Sequence, residues 1–210
     1  MIRVFVTDDH VLIREGLTKL LRQESDMKVV GEARCASDTL ALIDKAAPDV
    51  LVLDLVLPDR PGLEVLKEVK KRSPHVRVLI LSMFPEDRFA LRTLKAGADG
   101  YLTKEGAAEE LVAALRKVAS GRKYVSQAMS QKLLESIQDG GDDAPHEGLS
   151  DREFQIFRMI AQGKTVSHIA EELALSVSTV NTHRMHILEK MGMHSNSELM
   201  HYAIENGLVE

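Results

Sequence analysis

The chain has few features that would staple it covalently or hold it in a bilayer. It carries a single cysteine, Cys35, in 210 residues, so no internal disulfide can form and a reducing compartment is expected. No apolar run approaches the ~18 to 20 residues that a membrane span needs. The first strand-like segment begins at Ile2, leaving no room for a signal peptide, so we expect a cytoplasmic protein without membrane contact. There is no excess of positive charge either. Twenty-seven basic against 32 acidic side chains give a net charge of −5, which weighs against nucleic-acid binding, where a basic footprint is usual. Internal repeats and low-complexity tracts are missing. With 44% hydrophobic and 28% charged residues, the composition excludes collagen-like, coiled-coil and disordered chains. The length is about twice the commonest domain length, so two domains are expected.

Short β-branched runs alternate with amphipathic stretches over the first 120 residues. The runs are Ile2 to Thr7, Met27 to Gly31, Val50 to Leu55, Arg77 to Ser82 and Gly100 to Lys104. Two of them, Val50-Leu51-Val52-Leu53 and Val78-Leu79-Ile80-Leu81, are continuously apolar, as strands covered on both faces should be. Helical periodicity fills the intervals: Val11 to Arg22, Ser37 to Ala47, Leu63 to Arg72, Pro85 to Ala96 and Ala107 to Ser120. Pro48, Gly97 and Gly121 stand where helices should stop. Five strand–helix pairs predict an α/β doubly wound, five-stranded parallel sheet with a crevice at the carboxyl ends of its strands. This first domain spans 1–121. Residues 122–147 form a linker with one helix, Val125 to Ile137, and a flexible run at Asp139 to Pro145. No strand pattern follows. Helices over Asp151 to Gln162, Val166 to Leu173, Ser178 to Met191 and Ser197 to Glu205 make residues 148–210 a small all-α domain.

Chemistry-bearing residues gather at the expected strand ends. Asp8 and Asp9 follow the first run, Asp54 closes the third, Ser82 ends the fourth and Lys104 ends the fifth. Carboxylates brought to one sheet edge repel one another unless a cation sits among them, and an all-oxygen set suits Mg2+. A carboxylate nucleophile, a hydroxyl and an ammonium around one crevice suit phosphoryl transfer, in which positioning and charge neutralisation do most of the catalysis. Taken singly, each residue has a plainer reading: a turn-forming or capping Asp, a capping Ser82, a surface Lys104.

These residues, with Asp54-Leu55-Val56-Leu57-Pro58, Gly62 and Tyr101, resemble the receiver domain of bacterial two-component response regulators over residues 1 to about 121. The resemblance implies that Asp54 is phosphorylated by a sensor histidine kinase. Asp9, Asp54 and the Val56 carbonyl would bind Mg2+, with Asp8 acting mainly through water. Lys104 would pair with the phosphoryl oxygens, Ser82 would move to bond them, and Tyr101 would follow by turning inward. Tyr101 also reads as a plain core aromatic. Two departures from the receiver pattern stand out: Glu105 follows Lys104 where many receivers have proline, and Met83 is larger than the residue often found beside the switch hydroxyl.

In the second domain, Ser150 lies three residues before Glu153, the spacing of a capping box. Phe154, Phe157, Ile160 and Ala161 take core spacing in the helix that follows. Val166 to Leu173, a turn at Ala174-Leu175-Ser176 and the next helix read as helix-turn-helix. Val180, Ile187 and Met191 form the inward stripe of that last helix, while Ser178, Thr182, Met185, His186 and Glu189 face outward and Asn181 lies at the margin. By angle, Arg184 falls near the inward edge. The segments Leu149 to Glu153, His168-Ile169-Ala170, Leu175-Ser176, Ser178-Thr179-Val180 and His183 are similar to the LuxR-type helix-turn-helix, so nearly the whole chain resembles NarL/FixJ response regulators. The resemblance implies a transcription regulator binding double-stranded DNA as a homodimer. Asn181, Thr182 and Met185 would face base edges, and Lys164, Thr179, His183 and Lys190 would lie near phosphates. Helix 197–205 would supply a dimer contact.

The charge pattern keeps a competing reading open. Residues 146–210 hold 5 basic and 9 acidic side chains, so the acidity sits mainly in the half that resembles a DNA binder. Many relatives have Lys where Asn181 stands, and each lost phosphate contact reduces affinity and salt dependence. A phosphorylation-switched protein-interaction module with weak DNA binding is therefore the alternative function. An enzyme such as a phosphatase fits less well, because short loops alone enclose the crevice; slow self-dephosphorylation is the only turnover expected.

Overall fold

The computed structural model describes residues 1–84, 86–126 and 144–209. The chain divides into two compact units, Met1–Gln138 and Asp139–Glu210, and the division falls inside the stretch read as linker. From residue 127 on, the helix expected over Val125 to Ile137 lies outside the described residues, as do residues 139–143.

In the first unit, β1 (Ile2–Thr7), β2 (Met27–Ala33), β3 (Val50–Leu53), β4 (Arg77–Ser82) and β5 (Gly100–Thr103) form one sheet in the order β2-β1-β3-β4-β5, with every pair parallel. The helices α1 (Val11–Arg22), α2 (Ala36–Ala46), α3 (Gly62–Arg72), α4 (Glu86–Lys95) and α5 (Ala107–Ala119) alternate with them. The two continuously apolar runs are fully covered: Val50 to Leu53 and Val78 to Leu81 expose no more than 1% of their surface. One face of the sheet packs Val4, Val6, Val50, Val52, Leu79 and Leu81 with Leu111, Ala114, Leu115 and Val118. Hydrophobic burial in this layer is the main force holding the domain together.

Three strand ends differ from the sequence reading. Strand β2 runs two residues past Gly31, because β1 pairs with it through Thr7 and Ala33 after a shift between Val4 and Phe5. Gly31 does not end the strand; it makes room for the Phe5 ring, whose Cε2 would lie 2.4 Å from a Cβ there. Strand β3 ends at Leu53, so Asp54 is the first residue beyond it. Its amide still donates to Thr7 O at 3.0 Å, and its carboxylate then accepts from the Val56 amide at 3.1 Å, a local turn that takes the chain off the ladder. Strand β5 ends at Thr103, and Lys104 keeps the register by donating to Ser82 O at 2.8 Å. The helix stops fall as expected: Gly97 and Gly121 take φ of 106° and 82°, and Ala47, before Pro48, takes 42°. Among the described residues there is no cis peptide bond.

The second unit is helical: a 3-10 turn (Pro145–Gly148), then α6 (Asp151–Ala161), α7 (Val166–Glu172), α8 (Val177–Met191) and α9 (Asn196–Glu205). A hydroxyl caps each helix, from Ser150, Thr165, Ser176 and Ser195, and Ser150 with Glu153 completes the expected capping box. Each cap satisfies an amide that the first turn leaves without a helical partner. Phe154, Phe157, Ile160, Ala161, Val180, Ile187 and Met191 are all buried, as their spacing requires. Ala174, with φ 50°, makes the tight turn between α7 and α8.

Gly62 decides how α3 leaves the sheet edge, since a Cβ there would lie 2.0 Å from Asp54 O and 2.8 Å from Leu55 Cα, both backbone atoms that cannot yield. Gly62→Ala should destabilise the first unit by about 2 kcal/mol or more in urea unfolding. Gly16→Ala, where the added carbon meets nothing within 4 Å, should stabilise it by roughly 0.5 to 1 kcal/mol. Equal effects at the two sites would contradict this assignment.

Candidate functional site

The sheet order reverses at β1 and β3, so Asp8 and Asp54 emerge side by side at the carboxyl edge, where open α/β sheets take their ligands. Lys104 reaches them from β5. Its Nζ lies 2.7 Å from Asp8 Oδ2 and 2.7 Å from Asp54 Oδ2, and all three side chains are almost fully buried. Burial is the largest influence on Asp54 and, against the attraction of Lys104, pushes its carboxyl up to about 6. Burial also opposes the charge on Lys104, but the facing Asp54 and Asp8 outweigh it and raise the ammonium above its ordinary value. The structure thus brings Asp8, Asp54 and Lys104 into contact, with Asp9 at their margin.

The carboxylates outnumber the cation. Single donor atoms of Asp8, Asp9, His10 and Asp54 lie within 4.8 Å of one another. Asp8 Oδ2 and Asp9 Oδ1 are buried oxygens whose close contacts are single nitrogens, Lys104 Nζ at 2.7 Å and His10 Nδ1 at 2.8 Å. Desolvated carboxylate oxygens that outnumber the cations at one site fit a bound metal ion. His10 went unnoticed in the sequence reading. Its amide donates to Asp8 Oδ1 at 2.9 Å, and the only available signal was its place directly after the paired aspartates.

Ser82 is buried and its Oγ accepts from the Phe84 amide at 3.2 Å. Tyr101 is already inward, 1% exposed, with its hydroxyl donating to Phe84 O at 2.8 Å. The ring thus sits in the inward setting to which the resemblance would have it turn, and its burial suits a core aromatic equally. The Tyr101 amide donates to Tyr124 O at 2.9 Å, which lays the first linker residues along the β5 edge. The Ser126 amide then donates to Glu86 Oε1, at the start of α4, at 2.7 Å. Met83 is 62% exposed, its bulk turned to solvent.

In the second unit, α8 presents Asn181, Thr182, Met185, His186 and Glu189 outward as the periodicity predicts. The basic side chains are engaged at home. Lys164 lies 2.6 Å from Glu172, Lys190 lies 2.6 Å from Glu153, and Arg184 donates to Asn196 Oδ1 at 2.6 Å. Arg152 donates to Gln155 and Leu173 O, and Arg158 to Leu208 O. Thr179 shares the Ser176 cap, and Thr182 donates to Ser178 O at 3.0 Å. His183 is half-buried, and burial lowers its pKa against the pull of Glu153, favouring the uncharged ring.

A doubly wound sheet with an acidic pocket closed by a lysine, joined to a helix-turn-helix unit, defines a receiver coupled to a DNA-binding module. Comparison with known proteins agrees. Residues 4–116 match the response regulator receiver domain, and residues 147–203 match the bacterial regulatory proteins of the luxR family. Response regulator GacA of Pseudomonas aeruginosa is 40% identical, with 100% of this chain and 99% of GacA covered. Response regulator UvrY of Escherichia coli is 37% identical over 99% of this chain and 96% of UvrY. Among solved structures, RcsB of Salmonella typhimurium superposes with a TM-score of 0.69 at 26% identity, covering 96% of each chain. RcsB of Salmonella enterica serovar Typhimurium bound to promoter P1flhDC with the phosphomimetic BeF3- gives 0.65 at 28%, covering 96% of this chain and 97% of that one. The chain belongs to the NarL/FixJ-type response regulators, transcription regulators that join a receiver to a LuxR-type helix-turn-helix.

Glu153 supplies a pH-dependent test of the second unit. Burial would raise its pKa, but Lys190 and the Ser150 amide and hydroxyl hold it down to about 2. The ionised form therefore belongs to the fold: its contribution is complete above about 4.5 and is lost as pH falls toward 2. Lys190→Met should cost about 1 to 2 kcal/mol at pH 7, discounted because the ammonium is partly exposed. In urea unfolding followed by circular dichroism, the difference from the parent should shrink below pH 4.5; a difference constant down to pH 2 would refute the pairing.

Proposed function

We propose that the chain is a cytoplasmic, phosphorylation-controlled transcription regulator, with receiver 1–121, linker 122–147 and DNA-binding domain 148–210. Asp54 accepts a phosphoryl group from a sensor histidine kinase, and the phosphorylated chain binds double-stranded DNA as a homodimer. The observation that carries this reading is the buried Lys104 shared between Asp8 and Asp54 at 2.7 Å each. An ammonium in that place neutralises the carboxylates in the resting protein and is positioned to take phosphoryl oxygens when Asp54 becomes an acyl phosphate.

The Asp54 carboxylate attacks phosphorus as the bond to the kinase's histidine nitrogen breaks, and an aspartyl phosphate forms. The site suits Mg2+: Asp9, Asp54 and the Val56 carbonyl would hold it, with Asp8 close by, and the bound cation would neutralise phosphoryl charge. Lys104 exchanges its Asp54 contact for the phosphoryl group, and the Ser82 hydroxyl donates to it. Phe84, whose amide bonds Ser82 and whose carbonyl bonds Tyr101, passes that shift to β5 and the start of the linker. Dephosphorylation is slow hydrolysis at the same centre.

For DNA, α8 offers Asn181, Thr182 and Met185 to base edges, with Asn suited to adenine and Met to a thymine methyl. Lys164, Thr179, His183 and Lys190 are proposed for the phosphate backbone, and α9 for the dimer contact. RcsB has been solved bound to promoter DNA, which supports DNA binding here by analogy. A second reading, a phosphorylation-switched protein-interaction module, draws on the engagement of all five basic side chains of residues 146–210 within their own unit.

Incubation with acetyl phosphate and Mg2+ should add one phosphoryl group by intact mass, and Asp54→Asn should add none; labelling retained in the variant refutes the acceptor. Phosphorylated protein should shift its own upstream DNA at lower concentration than the unmodified chain. Its salt dependence should be shallow, since each phosphate neutralised contributes only about 0.9 to the slope. No DNA binding in either state would favour the interaction module.

A further inference from the structure

The loop that carries Asp54 and Val56 leaves β3 at Leu53 and enters α3 at Gly62. Its ends are closed by backbone bonds: the Asp54 amide donates to Thr7 O at 3.0 Å, and the Gly62 amide to Leu55 O at 2.9 Å. Its tip, though exposed at Pro58 and Arg60, is tied to a neighbouring helix. Asp59, five residues past Asp54, reaches the first turn of α2. Its Oδ1 accepts from the Ala36 amide at 2.8 Å, and its Oδ2 accepts from the Ser37 amide at 2.9 Å and the Ser37 hydroxyl at 2.7 Å. A fourth bond, from the Arg60 amide at 3.1 Å, fixes the carboxylate within its own loop.

The local cap of α2 is weak by comparison, the Cys35 thiol accepting from the Asp38 amide at 3.5 Å. Two of the helix's first-turn amides are therefore satisfied by a carboxylate more than 20 residues away in sequence, placed where the helix dipole favours negative charge. Burial would raise the Asp59 carboxyl, but Ser37 and the backbone amides hold it below the usual carboxylate range, so it stays ionised in this role.

The same turn of α2 holds the other acidic segment. Thr39 Oγ1 donates to Cys35 O at 2.8 Å, so its bond with Thr7 Oγ1 at 2.9 Å uses the Thr7 proton. Thr39 and Thr7 are almost fully buried, and Thr7 directly precedes Asp8. One helical turn, residues 36–39, thus grips the segment before Asp8 and Asp9 with one arm and the loop after Asp54 with the other.

We propose that Asp59 and Thr39 are positioning residues for phosphoryl acceptance, setting the separation between the Asp8-Asp9 pair and the Asp54–Val56 segment through α2. Neither touches the reacting atoms. Both act by fixing donors that must converge on one cation and one phosphoryl group. In metal sites, partners that orient the ligands typically affect affinity by about 10- to 100-fold. Outer-shell support also limits the sub-ångström play that degrades a reactive geometry. The proposal rests on the phosphoryl-acceptor reading of Asp54.

The test uses the full chain and two readouts: Mg2+ affinity by calorimetry, which needs no phosphorylation, and the rate of acetyl phosphate labelling at saturating Mg2+. Asp59→Ala should weaken Mg2+ by about tenfold and slow labelling even when Mg2+ is saturating. Asp59→Asn, which keeps one accepting oxygen, should fall between it and the parent. Thr39→Val, of nearly the same shape, should act in the same direction. If Asp59→Ala proves too unstable to measure, Ser37→Ala removes a single exposed hydroxyl bond and should give a loss of about twofold to threefold, a small fraction of the outer-shell range. Folded variants that merely melt earlier, with Mg2+ affinity and labelling rate within twofold of the parent, would overturn the proposal. A parent chain that binds Mg2+ but never labels Asp54 would instead refute the acceptor reading, and the affinity series would still decide the positioning role.

Discussion

The contact on which the site depends is the buried ammonium of Lys104 held between the carboxylates of Asp8 and Asp54. An ion pair removed from water stabilises a fold only when each charge finds partners enough to replace its hydration. Here the count is unbalanced, because two buried carboxylates and the neighbouring Asp9 face one cation. Burial, against the attraction of Lys104, raises Asp54 to about 6, and one ammonium has to serve both buried carboxylates. A pocket of this kind suits a bound cation, which would offset the surplus negative charge.

Backbone geometry holds that imbalance in place. The reversal of strand order brings β1 and β3 together. The Asp54 amide is tied to Thr7, and Gly62 lets α3 pass the Asp54 carbonyl closer than any side chain would permit. On the far side, Ser82, Phe84 and Tyr101 form a chain of contacts that reaches the linker through Tyr124. On the proposed reading, a rearrangement at Asp54 would meet these contacts on its way to Tyr124.

Much of this was legible in the sequence, for identifiable reasons. Continuous apolar runs at Val50 to Leu53 and Val78 to Leu81 can only be doubly covered strands, and the residues following such runs share one sheet edge, which located Asp8, Asp54, Ser82 and Lys104. The helical stripe of Val180, Ile187 and Met191 likewise fixed the faces of α8. What escaped the reading depends on contacts distant in sequence. Gly31 resembled a strand end until paired with Phe5, and His10 carried no periodic signal. Asp59 gave no signal of its own because its partners, Ala36 and Ser37, lie on another helix. Spacing alone did not say that the Tyr101 ring lies inward, where its hydroxyl meets the Phe84 carbonyl.

The second unit shows the same tension between charge and function. Its few basic side chains are bonded within the unit, so DNA contact has to compete with pairs such as Lys164–Glu172 and Lys190–Glu153. On the proposed reading, that competition would make a second copy on the DNA important for tight binding. The proposed signal would begin at the unbalanced pocket, where Mg2+ affinity of Lys104→Met against the parent is the most direct measurement. Removing the ammonium while leaving the carboxylates should tighten Mg2+ by about tenfold, as expected for deleting a like charge a few ångströms away. Unchanged or weaker binding would contradict the view that Lys104 only partly neutralises a pocket built to take a further cation.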